Sequence, residues 1–249
     1  LRDQALYYAD EFTAAQTSVM ATYEFCVKAS NRTVQTGAAA TLSLVYFMTG
    51  NYAEARRWAD RCLEVAEAIG NIAFGRTAAM VALAARLELR EPVVAAGYVD
   101  IIEQGFVARG DMALKSVLAV DVLMMAGEMQ RAKNYAEVAY GHAGGRLREA
   151  NCAAACGDVM RHLGPEHWEQ AADWYAHAIT LGEATGLRST LAAAHLGAGE
   201  LAAARGDRQG SAAHLQKALE LSQAIGATRY QLRAERLRAD LTTVLEQSA

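Results

Sequence analysis

Gly50-Asn51-Tyr52-Ala53-Glu54-Ala55 is the stretch that decides the fold of this 249-residue chain. A glycine and a polar residue precede a bulky side chain, and a small residue follows three positions later in a strongly helical run. The spacing recurs. Small residues stand at Ala15, Ala55, Ala95, Ala132, Ala171 and Ser211, which are 40, 40, 37, 39 and 40 positions apart. Three residues before them are Phe12, Tyr52, Pro92, Met129, Trp168 and Arg208, and fifteen after come Gly70, Gly110, Gly186 and Gly226. A fixed period of this length predicts a row of identical supersecondary units.

Two helices per unit fit the period. Seven residues past the anchors are Thr22, Cys62, Ile102, Ala139, Ala178 and Ala218, so two compact residues share one helical face and let a neighbouring helix approach. The glycine after them is a helix stop, because the left-handed backbone that follows a helix end is open to it without a side-chain clash. Gly50, Gly127 and Gly206 mark a second turn inside the unit, where both prolines, Pro92 and Pro165, also fall. The final stretch, 227–249, reads as a capping helix with Tyr230, Ala234, Leu237, Leu241 and Leu245 as its apolar stripe. Arg229, Arg233, Arg236, Arg238 and Asp240 are expected to face away.

Composition narrows the possible functions. At 53% hydrophobic with two prolines, the chain is long enough for one continuous core and shows no break for a linker. A net charge of −4 leaves no general basic surface to neutralise a phosphate backbone, so no direct nucleic-acid partner is expected. No apolar run is long enough to cross a bilayer, and no signal core is visible. Cys26, Cys62, Cys152 and Cys156 have no disulfide-framework spacing, which fits a cytoplasmic location. Leu1 falls in the middle of a predicted helix, so a piece of a longer protein is expected.

The motif at 50–55 and its equivalents at 127–129 and 206–208 resemble the tetratricopeptide repeat (TPR), over nearly the whole chain. The resemblance implies an all-α fold, a right-handed TPR-like α-solenoid of about six hairpins. Its array would span 1–226, in units 1–31 (first helix cut short), 32–70, 71–110, 111–147, 148–186 and 187–226, ahead of the capping helix. The family's glycine twelve residues before the anchor is replaced by Ser43, Leu83, Val120 and Val159 and kept at Gly199. The family's closing proline is also missing. Such long units resemble those of bacterial signalling proteins: maltose-regulator-like ATP-dependent transcription activators, and class III adenylate cyclases with ATPase modules. Ala194-His195-Leu196-Gly197 through Gly206-Asp207 to Ala213-His214-Leu215 and Ala224-Ile225-Gly226 carries that likeness. It implies a sensor or regulatory part of a bacterial signalling or transcription-control protein.

Enzyme signatures are silent. There is no phosphate-binding loop, no nucleophile elbow and no His-Glu-x-x-His helix, so neither catalytic residue nor cofactor is expected. Cys152, Cys156 and Met160, spaced i, i+4 and i+8 on one helix with His162 nearby, could offer soft ligands to a metal, but packing of buried cysteine and methionine is the favoured reading. His162, His167 and His177 do not share one predicted sphere. His195 and His214 stand where the resembling families also carry histidine, and are read as helix-interface residues with a hydrogen-bonded ring nitrogen. Trp58, Trp168, Trp174, Tyr52 and Tyr175 are read as core. Arg56, Arg57 and Arg61 with Glu54, Asp60 and Glu64 form a solvated, paired face.

What remains is the concave face. Family geometry projects Ala40, Met80, Val117, Cys156 and Leu196 into it, then Leu44, Ala84, Asp121, Met160 and Glu200, flanked by Phe47, Met48, Leu87, Met124, Met125 and Leu163. An apolar, methionine-rich lining suits an amphipathic partner segment, which could belong to another domain of the same full-length protein. Asp121 and Glu200 would meet a cationic group. The alternatives are that these rows are filled as ordinary core, or that a small molecule or signal peptide binds between the repeats.

Overall fold

The computed structural model describes the backbone of residues 2–103 and 112–247, with side chains for 5–102 and 118–241. All regular structure among these residues is helical: α1 (Arg2–Tyr8), α2 (Phe12–Lys28), α3 (Arg32–Met48), α4 (Tyr52–Ile69), α5 (Ile72–Glu88), α6 (Ala95–Glu103), α7 (Met112–Met125), α8 (Met129–Gly141), α9 (Arg146–Leu163), α10 (Trp168–Thr185), α11 (Arg188–Ala204), α12 (Arg208–Ile225) and α13 (Thr228–Gln247). A single 3-10 turn, Pro165–His167, leads into α10. The fold is all-α. Gly110 and the side chain of Val117 lie outside the described residues.

The anchor pattern sets where helices start. α2, α4, α8, α10 and α12 begin at Phe12, Tyr52, Met129, Trp168 and Arg208, three residues before their small residues. Asparagine marks the turns as well: the side chains of Asn31, Asn51 and Asn71 each accept a hydrogen bond from the backbone N–H three residues on, at 3.2, 3.3 and 3.2 Å. Asp207 does the same for Gly210 at 2.9 Å. α4, α10 and α12 end on Gly70, Gly186 and Gly226 with φ of 67°, 71° and 68°. Ser30 (φ 54°) occupies the same place after α2, and Asp10 (φ 62°) and Arg90 (φ 55°) match Gly50 (φ 74°) in the inner turn. The chain therefore repeats a backbone conformation even where it does not repeat the glycine.

The contacts resolve into two compact units. The first takes Leu1–Gly110 and Asp121–Glu128, the second Asp111–Val120 and Met129–Ala249. Inside the first, α3 packs on α4 and also on α5, and α1 touches α3. Inside the second, α9, α11 and α13 contact one another in turn, while α10 and α12 each bridge the odd-numbered helices on either side. Each unit is a stack of helical hairpins.

Small residues hold that stack together. Ala15, Ala55, Ala132, Ala171 and Ser211 are fully buried, as are Cys62, Ile102, Ala139, Ala178 and Ala218. The tightest joint is in the second unit, where Tyr175 of α10 drives its ring between α9 and α11. A Cβ added to Gly157 would meet that ring at 2.7 Å, and one added to Gly197 would overlap it outright. The phenol is 1% exposed, donates to Asp158 Oδ1 at 2.7 Å and accepts from Arg161 Nε at 3.2 Å. Gly197→Ala, which in an open helix would gain about 0.5–1 kcal/mol, is therefore expected to lose about 1–3 kcal/mol here. Urea unfolding reads the sign, and Tyr175→Leu in the same chain should recover part of the loss.

Candidate functional site

The residues expected to line the groove do not share one environment. Ala40, Met80, Cys156 and Leu196 are at most 2% exposed, and Met48 is buried too. This first row is core. The reason lies in runs of small and apolar residues within α3, α5, α9 and α11: every residue from 78 to 85 is fully buried, and residues 152 to 156 are buried too. A helix with no polar face is buried all round, and its alanines let the odd-numbered helices touch. Of the second row, Ala84 is buried as well, whereas Leu44, Asp121 and Met160 are half-buried. Met124 is half-buried and Met125 is 36% exposed.

Glu200 is half-buried and already engaged. It lies on α11 between Arg161 of α9, whose Nη2 stands 2.7 Å from Oε2, and Arg233 of α13, which donates from Nε and Nη2 at 2.7 and 2.8 Å. The Arg161 contact is close but off the hydrogen-bond direction, leaving that Nη2 buried without a hydrogen-bond acceptor. Arg233 was expected to face solvent and instead closes this bridge; Arg229 is 8% exposed, its guanidinium over the Tyr230 ring. Burial works against the charge on Arg161, and Glu200, Tyr175 and Asp158 together more than restore it. One carboxylate thus ties three successive odd-numbered helices.

The cysteines are interior. Cys152 and Cys156 are 0% and 2% exposed, and burial, reinforced by Cys152, pushes the Cys156 thiol up to about 12. A thiol held protonated is a poor metal ligand. Among the described residues no group of three His, Cys, Asp or Glu side chains is placed to hold a metal ion. On α4 the predicted pairs Arg57–Glu54 and Arg61–Glu64 form at 2.6 and 3.0 Å. Arg56 and Asp60 reach further, to Glu91 and to Arg86.

Sequence reading missed an apolar opening in the first unit. The end of α4, the start of α5 and the face of α6 enclose a cleft of about 590 Å³. Leu63, Ala66, Ile72, Val94 and Ile101 make its walls, with Tyr98 at the side and Glu67 as the carboxylate at the rim. Its origin is a lapse in the repeat. α6 begins at Ala95, one turn later than its counterparts, with Pro92 at the place where they start. The missing turn leaves Val94 81% exposed, and Ile72 opposite is 61% exposed. Gly97 faces open space, with nothing within 4 Å of where a Cβ would stand. Tyr98 is held from behind: the Arg86 guanidinium lies 5.6 Å from its ring and forks onto both Asp60 oxygens at 2.9 Å. The sequence signal available was Pro92 at the helix-start position together with Gly97 and the adjacent Val93-Val94.

No family model matches the chain, and no curated protein matches it in sequence. Among solved structures the chain is similar to one titled "Crystal structure of YrrB: a TPR protein with an unusual peptide-binding site". The match covers 84% of this chain and 97% of that chain at 14% identity and a TM-score of 0.41. A likeness at this level carries nothing over to the site, which rests on the residues described above.

The ion bridge and the cleft make different demands. Removing Glu200 would strand two arginines at a half-buried position, so Glu200→Ala is expected to lose about 3 kcal/mol. Urea unfolding checks this, and Arg233→Met in that background should return part of the loss.

Proposed function

We propose that the chain is a noncatalytic recognition module that takes a partner protein segment through exposed apolar surface on its hairpin stack. The observation that carries this reading is the first-unit cleft, about 590 Å³ with Ile72 and Val94 on its outer edge. Aliphatic side chains exposed beside an apolar hollow mark an interaction site more often than chance exposure does. The occupant that fits is an amphipathic helix with one large apolar residue for the hollow and a basic residue toward Glu67. Leu44, Met124 and Met125, the accessible remainder of the sequence-derived groove in the first unit, are proposed as further contacts.

The noncatalytic part of the proposal is supported by how the charged side chains are used. Asp158, Arg161, Glu200 and Arg233 bind one another or Tyr175 instead of converging on a cleft. Among the described residues no helix is long and apolar enough to cross a membrane. The four cysteines are buried thiols outside any disulfide, which supports placing the module in the reducing cytoplasm. The likeness of 187–226 to bacterial signalling proteins supports a regulatory role, in which the partner segment alters contact with an effector domain. The cleft's volume also favours a second reading, a small apolar effector, since small-molecule sites span roughly 300–1,000 Å³.

Gly97→Leu and Ile72→Asp test the site. The first fills the hollow without a clash and replaces a helix-weakening glycine, so it should raise thermal stability slightly. Helical peptides selected against the wild-type chain from a random library should bind either variant at least about tenfold more weakly by fluorescence anisotropy, the effect of losing one buried aliphatic group. Unchanged affinity in both would remove the cleft from the proposal. Loss on Met125→Asp alone would move the site to the sequence-derived groove. Selection that fails, together with a ligand-dependent rise in melting temperature in a small-molecule screen, would favour the effector reading.

A further inference from the structure

His195 on α11 and His214 on α12 face each other across the last hairpin, Nδ1 to Nδ1 at 2.9 Å, with ring centroids 5.2 Å apart. Two imidazole nitrogens at that distance form a hydrogen bond only if one carries a proton and the other a lone pair. Two neutral rings satisfy this. So does a pair with one added proton, because an imidazolium can donate its Nδ1–H to a neutral neighbour. Two imidazolium rings cannot, since both nitrogens are then donors and the like charges repel at the separation of the rings.

The surroundings do little to help the rings take up protons. Burial pulls His195 down to about 4, and His214 and Lys217 add to the effect. Burial also lowers His214, against a smaller opposing pull from Asp207. His214 shares a cavity of about 260 Å³ with Tyr175 of α10 and with Arg205 and Asp207 of the α11–α12 turn. Arg205 is drawn to Glu169 at 3.0 Å, and Asp207 caps α12. Arg161 of α9 and Arg233 of α13 turn toward α11, and both are committed to Glu200.

We propose that His195 and His214 form an acid-sensitive latch on the hairpin of α11 and α12. It is closed while the pair holds at most one added proton, and open when both rings are protonated. Opening separates the two helices at their midpoint and changes the shape of the cavity that His214 lines. Its sign follows from linkage. The folded rings hold protons less readily than unfolded histidine, so the unfolded chain binds more protons. The latch therefore contributes its full stability above the unfolded value near 6.5, and loses it as pH falls toward 4.

The experiment uses the whole chain and its variants His195→Gln and His214→Gln, in which the amide can still hydrogen-bond but does not titrate. His142→Gln, at an exposed histidine bonded to its own helix, is the control. Proton NMR of the wild-type rings should show the His195 midpoint below about pH 5, well under the ordinary histidine value. Thermal melts from pH 4 to 7 should show that unfolding of the wild type takes up about one more proton than unfolding of His195→Gln, with the control unchanged. Amide exchange in α11 and α12 should speed up in acid for the wild type alone. Ordinary titration of both rings near 6.5 would overturn the latch. So would a His195→Gln pH profile parallel to that of the wild type. If a variant does not fold, the wild-type ring titration still decides.

Discussion

The structure depends on removing side-chain volume between successive odd-numbered helices. In the second unit α9 and α11 come close enough that Tyr175, arriving from α10, needs glycine on both: Gly157 on one and Gly197 on the other. In the first unit alanine serves, with Ala38, Ala39 and Ala40 of α3 and Ala78 through Ala85 of α5 buried, so that α3 reaches α5 past the intervening α4. Dispersion and burial then act along the full helix length, because no long side chain holds the helices apart. A helix of small residues has little intrinsic amphipathicity. Its place is fixed by the bulky residues of its neighbours.

That constraint separates what the sequence could reveal from what it could not. The hairpins and their period were legible, since the small residues after each helix start, the turn glycines and Pro165 are local features with local reasons. Non-glycine residues repeating the left-handed turn, such as Asp10 and Arg90, show that the repeat is stronger in the backbone than in the letters. The groove was legible only in part. Ala40, Met80, Cys156 and Leu196 lie at family positions that can face a groove, but whether such a position is open depends on how closely the next helix packs. Arg236 and Arg238 of the capping helix are exposed as expected, and Arg233 was misassigned for a related reason. Periodicity places Arg233 on a polar face and cannot show that Glu200, 33 residues earlier, waits opposite.

The charges show the same economy. On the odd-numbered helices of the second unit, the half-buried ionic groups Arg161, Glu200 and Arg233 bridge from one hairpin to the next. Partners this far from solvent gain little net stability over an apolar match, but each severely disfavours a packing in which the other is missing. They therefore fix register between hairpins that are otherwise bound by interchangeable alanines. Tyr175 extends the same logic to α10, because its hydroxyl sits between Asp158 and Arg161 and holds both in place.

If packing of small residues dictates a uniform stack, then departures from uniformity are where a function can be placed without cost to the rest. α6 is such a departure. Its counterparts begin three residues ahead of their anchors, but α6 starts on Ala95, which is only half-buried whereas the other five anchors are fully buried. The lost turn forfeits a helical turn's hydrogen bonds and exposes Val94 and Ile72, both unfavourable for the isolated chain. Natural sequences break their own local rules mainly where a site requires it. A side chain at Gly97 would have filled the hollow with no steric objection, yet the position holds a residue that weakens a helix interior. Stability alone would have closed the cleft, and its being open is the physical argument for an occupant.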